Sequence, residues 1–365
     1  MPLHPIKLPI AARQLFRIVA LQKRLLSALA DPALNAELVD ATWVKAVWKQ
    51  LPSAWVDKFC GGGQLERVQV IAAASSVARQ SLYNEFARQN KLPATLLAGG
   101  DFRDIATLPG FSAQLSVSVK KFFEECYDLL GQSSRTMGYP VSGGNSITKR
   151  LYSEKFCESG PTQVVCPYCD GGIGTPDLDH YYCKSKFPLL ACSPWNLVPI
   201  CKSCNDVATC KGDRIALTPG PPRSATEWLH PFQSPATVAA QLNLEGDPRK
   251  AIPSLRSPDA LEQKRLDNHI WLMDRLDQAT PFRSLSKRWT HVAAVRFDVV
   301  VREVNKKVGA GRTITSVVQE MLSEYEDSRG QEASALVHAG VCRAILQNRP
   351  EYIAEFSNSN PPTLA

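Results

Sequence analysis

Two short cysteine pairs, Cys166-Pro-Tyr-Cys169 and Cys201-Lys-Ser-Cys204, are the clearest chemical signal in this chain. A CxxC turn presents two thiolates from one tight bend, and two such turns complete a tetrahedral four-thiolate site for zinc. With every coordination position filled by protein, that zinc is structural rather than catalytic. The 31 residues between the pairs exceed the span of the simplest zinc ribbons, so the insert is expected to fold as an element held at its base by the metal. Seven of the eleven cysteines fall between Cys157 and Cys204. The spare thiols Cys157, Cys183, Cys192 and Cys210 lie close enough in sequence to replace a knuckle cysteine, which leaves the ligand set open; plain burial is the simpler reading of them.

The insert carries Asp177-Leu-Asp179-His180-Tyr-Tyr-Cys183-Lys184-Ser-Lys186-Phe-Pro, then Asn196-Leu-Val-Pro-Ile, then Cys201-Lys-Ser-Cys204-Asn205 and Lys211-Gly. This order of elements resembles the HNH endonucleases of the ββα-metal, or His-Me finger, class, over about 60 of the 365 residues. In that family an Asp-His pair ends a first strand, an Asn opens a second, and a short helix bears a final His or Asn. The resemblance implies that His180 is the general base that takes a proton from the attacking water. It implies that Asp179 and Asn205 offer hard oxygen ligands to a catalytic Mg²⁺ or Mn²⁺. Asn196 would hydrogen-bond across the loop and hold His180 in place. Lys184, Lys186 and Lys211 would neutralise substrate phosphates. Outside this context each residue has a plainer reading. A lone His is ordinarily a satisfied core or surface residue, an Asn after CxxC can cap the following helix, and lysines are solvated by default.

Cys183 departs from the family pattern, which usually has Pro there; the change removes no catalytic group. Further on, Trp228-Leu-His230-Pro-Phe232 resembles a segment of one HNH subgroup that includes nucleases of bacterial anti-phage systems such as Septu. That likeness implies a role as a defence effector with an ATPase or other regulatory protein as partner. His230 either supports the active site or packs structurally.

These residues need a scaffold, and the rest of the chain is expected to supply it as helices. Hydrophobic residues make up 44% and charged residues 21%, which excludes a mostly disordered chain. No run approaches 18 consecutive apolar residues, so no transmembrane helix is expected. The first 30 residues are interrupted by Arg13, Arg17, Lys23 and Arg24, unlike a secretory leader, so the expected location is cytoplasmic with thiols reduced or metal-bound. The net charge is +7, and residues 1–150 alone carry an excess of seven basic side chains. Such an excess attracts phosphate backbones, or is simply a solvated helical face. Arg13, Arg17 and Arg24 on neighbouring turns, and Lys120-Lys121 before Phe122-Phe123, are the candidate surface.

Leu15, Ile18, Leu25 and Leu29 recur at helical spacing, and Asp40-Ala41-Thr42 reads as a capped start for a helix carrying Trp43, Val47 and Leu51. Gly61-Gly62-Gly63 breaks that stretch, and residues 64–90 and 112–130 offer more helix. Residues 131–146 and 218–224 read as loops. Ile314, Val317, Val318, Met321, Leu322 and Tyr325 form the clearest amphipathic pattern, and the tail beyond Phe356 is expected to fray. The expected fold class is α+β: a central ββα-metal HNH nuclease module on a four-cysteine zinc site at 148–217, a mainly helical basic domain at 1–147, and a mainly helical region at 218–365. The expected function is metal-dependent hydrolysis of nucleic-acid phosphodiesters, DNA ahead of RNA. The alternative is a zinc-dependent nucleic-acid-binding or protein-interaction module without cleavage, for which Asp179, His180, Asn196 and Asn205 together would have no use.

Overall fold

A computed structural model describes residues 3–4, 6–91, 110–130, 139–140, 146–160, 163–206, 227–230, 232, 237, 240–273, 285–308 and 312–347. Lys211, Cys210, the segment 218–224 and the tail beyond Phe356 lie outside the described residues.

The N-terminal helices are α1 (Ala12–Leu29), α2 (Ala41–Val47), α3 (Ser53–Phe59), α4 (Leu65–Ala72), α5 (Ser76–Gln89) and α6 (Ala113–Asp128). Leu15, Ile18, Leu25 and Leu29 line the buried face of α1, each worth about 1.5–3 kcal/mol when fully buried. The Asp40 carboxylate accepts the Trp43 N–H at 2.7 Å and starts α2. This helix buries Val44, and Trp48 just after it is buried too, while Trp43 and Val47 are half-buried against the same core. The Trp48 indole settles the face by donating to the Leu21 carbonyl at 2.9 Å. The glycine triplet does break the regular helix. Gly63 takes a left-handed φ of 80°, and the chain kinks from α3 into α4. Phe122 and Phe123 are fully buried and pack edge-on at 5.1 Å, so they belong to the core and offer no surface to a ligand. Arg13, Arg17 and Arg24 are exposed on α1, and Arg24 donates to the Gln50 side chain at 2.7 Å.

The middle of the chain adds β1 (Tyr139–Pro140), β2 (Ser146–Ile147), α7 (Lys149–Cys157), β3 (Asp177–His180), β4 (Leu197–Ile200) and the single-turn α8 (Lys202–Asn205). Then come β5 (Gln241–Asn243), β6 (Ser254–Arg256), α9 (Ala260–Met273), α10 (Leu285–Val308), α11 (Ile314–Asp327) and α12 (Ala335–Gln347). The chain is therefore α+β, with helices dominant and three two-stranded antiparallel sheets among the described residues. Val317, Val318, Met321 and Tyr325 form the buried face of α11, as their spacing requires. Gly340 lets α12 approach the sheet closely: a Cβ there would stand 2.6 Å from the Leu242 carbonyl oxygen. No helix among the described residues is long and apolar enough to cross a membrane.

Two hydrophobic clusters meet at β3 and β4. The N-terminal helices share one with Leu189, Ala191, Cys192 and Leu197 from the loop after β3 and the start of β4. The C-terminal helices share the other with Cys166, Tyr168, Cys169, Tyr181, Tyr182, Ile200 and Cys204. The middle segment is thus gripped from both sides, its loop by both cores and its cysteine turns by the C-terminal one.

Candidate functional site

The sulfurs of Cys166, Cys169, Cys201 and Cys204 lie within 4.8 Å of one another and form a site able to hold a metal ion. Local backbone chemistry builds each turn. In the first, the Asp170 N–H reaches the Cys166 carbonyl at 3.0 Å and the Cys166 N–H reaches the Gly171 carbonyl at 2.7 Å, with Asp170 at a φ of 60°. In the second, the Cys204 N–H reaches the Cys201 carbonyl at 2.9 Å as α8 begins, and the Cys201 N–H points at the Cys166 sulfur at 3.4 Å. Hydrogen bonds from Cys166, Cys169 and Cys204 hold the Cys201 thiol below its ordinary pKa. Burial pushes Cys166 up, and the Cys166 hydrogen bond pushes Cys169 up. Among the described cysteines, Cys157, Cys183 and Cys192 stand outside the cluster, and the Cys183 sulfur lies 2.7 Å from the Ser185 hydroxyl.

The C-terminal helices brace this cluster, a role that nothing in the sequence announced. The His269 ring on α9 meets the Tyr168 carbonyl at 2.9 Å, and the Trp289 indole on α10 donates to the Cys169 carbonyl at 2.9 Å. Arg288 donates to the Cys204 sulfur at 3.4 Å, placing a positive charge beside a thiol. The Asp170 carboxylate accepts the Leu336 N–H at 2.7 Å at the start of α12, and burial raises its pKa to about 7.

The two strands that follow place the remaining candidates. β3 and β4 pair antiparallel, with Asp179 opposite Val198 and His180 opposite Leu197. His180 is 8% exposed, and its Nε2 lies 3.0 Å from the Ala191 carbonyl oxygen. A carbonyl only accepts, so Nε2 carries the proton and Nδ1 is the basic nitrogen of the ring. The Tyr127 ring packs against the imidazole at 4.3 Å between centroids. Asp179 accepts the Tyr168 hydroxyl proton at 2.7 Å, and Tyr168 sits inside the first cysteine turn, so this bond links the carboxylate to the metal site. Asp177, two residues earlier and so on the same side of the strand, meets the Asn205 amide at 3.4 Å. Asp177 carries no assigned role in the sequence pattern; its place two residues before Asp179 on one strand was the available signal.

Asn196 is completely buried and spans the loop. Its Oδ1 accepts the Tyr182 N–H at 2.7 Å, and its Nδ2 donates to the Tyr182 carbonyl at 3.0 Å and the Leu190 carbonyl at 3.1 Å. Asn196→Ala would leave these loop groups without those partners in a dry interior. The expected loss is on the order of 3 kcal/mol, read as a lower urea midpoint at unchanged slope. An unchanged midpoint would mean that Asn196 does not hold the loop.

Lys184 lies 3.3 Å from the Asp128 carboxylate, and Lys186 is exposed. His230 is buried against the Tyr181 ring at 4.9 Å, and the Tyr181 hydroxyl donates to the Leu229 carbonyl at 2.9 Å. Burial lowers the His230 pKa to about 3. That neutral, enclosed ring packs under the loop. A cleft of about 780 Å³ opens beside the strands, lined by residues that include Tyr127, Lys149, Asp177, Leu178 and Asn205. Compared with protein-family profiles, with curated proteins and with solved structures, the chain matches none of them.

Proposed function

We propose that the chain is a metal-dependent phosphodiester hydrolase of the HNH kind, acting on nucleic acid, DNA ahead of RNA. One observation carries the reading: the Ala191 carbonyl fixes the His180 tautomer at the end of a strand that also bears Asp177 and Asp179, beside an open cleft. A general base must be oriented before its pKa is of use, and the loop that does this is itself pinned by Asn196. In the proposed reaction His180 Nδ1 takes the proton of the water that attacks phosphorus. Asp179, Asp177 and Asn205 would hold Mg²⁺ or Mn²⁺, an oxygen-rich donor set that suits a hard cation. When bound, that cation supplies charge to the phosphate and to the leaving oxygen. Asp179 keeps its position through Tyr168, whose hydroxyl is directed by the cysteine turn around it.

The four-cysteine site we assign to structural zinc. A tetrahedron with metal–sulfur bonds of about 2.3 Å has edges of about 3.8 Å, and Cys169 Sγ and Cys201 Sγ are 3.8 Å apart. The described cysteines are all unbridged, which suits a reducing compartment such as the cytoplasm. A place in anti-phage defence and an ATPase partner rest on the resemblance around Trp228–Phe232 alone, a segment that packs His230 against Tyr181 and accepts the Tyr181 hydroxyl at the Leu229 carbonyl.

The test is incubation of the purified chain with supercoiled plasmid and with structured RNA, in Mg²⁺, in Mn²⁺ and in EDTA. Nicking in either metal and none in EDTA is the expected result. Tight binding with no cleavage of either nucleic acid would replace this reading with the non-cleaving zinc module.

A further inference from the structure

The cleft wall contributed by α6 and α7 holds a charged cluster that the HNH resemblance does not account for. Tyr127, near the end of α6, offers its ring to three groups. The His180 imidazole meets it edge-on at 4.3 Å, Lys149 Nζ lies over it at 4.0 Å, and Lys184 Nζ lies 5.0 Å from its centroid. Both ammoniums are within the range in which an aromatic ring attracts a cation. Asp128, the next residue, is the carboxylate they share, 3.5 Å from Lys149 and 3.3 Å from Lys184. Two positive charges therefore face one negative charge at the edge of the cleft.

The three partners are not equally held. The Asp128 side chain is 56% exposed while that of Lys149 is 20% exposed. Ion pairs to an exposed carboxylate contribute little, so Asp128 leaves readily. The lysines are held by the ring as well as by the carboxylate and stay in place when it swings out. Burial, and then the neighbouring charge of Lys184, depress the Lys149 pKa, while Asp128 opposes them. Such an ammonium is stabilised by a second anion.

We propose that Lys149 and Lys184, gathered on the Tyr127 ring, form a seat for a backbone phosphate of the nucleic acid, with Asp128 as the counter-ion that occupies the seat in the free protein and is displaced by substrate. The inference rests on the hydrolase reading for the identity of the anion. It adds residues from outside the β3–β4 unit that set where the strand lies relative to His180, since Tyr127 touches both the lysines and the imidazole. Of the lysines named from sequence, it assigns this seat to Lys184 and adds Lys149.

The experiment measures binding of a fluorescein-labelled DNA duplex, by fluorescence anisotropy across a range of salt, to full-length protein carrying His180→Ala so that no cleavage intervenes. Lys149→Met keeps the aliphatic stem over Tyr127 while removing the charge. In that background Lys149→Met is expected to weaken binding about tenfold at low salt and to lower the slope of log K against log salt by about one. Lys184→Met is expected to do the same. Asp128→Asn, which leaves both cations in place, is expected to tighten binding several-fold. A Lys149→Met, Lys184→Met double variant with unchanged affinity and slope overturns the proposal, as does an Asp128→Asn variant that binds no better than its parent. Cleavage by otherwise wild-type protein separates the two claims. If wild type cuts in a His180-dependent way and Lys149→Met alters neither binding nor KM, the seat fails alone. If wild type cuts nothing but Lys149→Met weakens binding as described, the seat stands and the hydrolase reading fails.

Discussion

Replacing Cys166 or Cys201 with serine is expected to give insoluble or unfolded protein, whereas wild type purified without added metal should carry about one tightly held zinc per chain. Structural zinc contributes roughly 10–16 kcal/mol of binding free energy in small zinc domains, and whole domains are stable by only about 5–15 kcal/mol. Here the effect is not confined to the turns. His269, Trp289, Arg288 and Leu336 reach the cysteine cluster or the residues within it, from α9, α10 and α12. Loss of the metal would leave four buried thiols, and the helices that rest on them, without the geometry they pack against. Soluble yield, elemental analysis and thermal unfolding check this together. A soluble Cys166→Ser, Cys201→Ser double variant that melts with wild type would show that the cluster holds no structural metal.

Asp179→Ala is expected to reduce metal-dependent cleavage by on the order of 100-fold or more, because it removes one of the two carboxylates proposed to anchor a hard cation. Asn205→Ala should be milder and should recover in part as Mg²⁺ or Mn²⁺ is raised, since Asp177 and Asp179 both remain. The two variants separate chemistry from scaffold. Asp179 also accepts the Tyr168 hydroxyl, so its loss is felt at the cysteine turn, whereas Asn205 is half-buried and its side chain meets Asp177. Cleavage rate against metal concentration, with unfolding midpoints alongside, reads both. If Asn205→Ala loses activity that no concentration of either metal restores, and its midpoint falls as well, Asn205 is a structural cap rather than a metal ligand.

Where the information was local, it could be read from the residues. The cysteine spacing announced its turns, and the cap at Asp40 and the stripe from Ile314 to Tyr325 announced their helices, because each signal lies within a few residues of what it specifies. Which side of α2 is buried deepest was not legible, for the opposite reason. Trp48 chooses the buried face through the Leu21 carbonyl, 27 residues away. The bracing of the cysteine turns was illegible for the same cause: Trp289 reaches Cys169 across 120 residues, and no periodicity encodes that contact. Tyr127, Asp128 and Lys149 were passed over because each is unremarkable in its own segment. They matter only where α6 and α7 bring them to Lys184 and His180. Phe122 and Phe123, next to two lysines in sequence, read as a surface until the fold buried them.

The most direct measurement is plasmid nicking by wild type and by His180→Ala, in Mg²⁺ or Mn²⁺, with zinc content and unfolding midpoint matched between the two proteins. His180 is the group assigned to take the proton, and removing a general base lowers a rate by roughly 10²–10⁴-fold. Zinc and fold should be preserved, because His180 and the Ala191 carbonyl that meets its ring both lie outside the cysteine cluster. Wild type is expected to nick, and the variant to show a loss of that size. Nicking by His180→Ala at the wild-type rate would contradict that assignment.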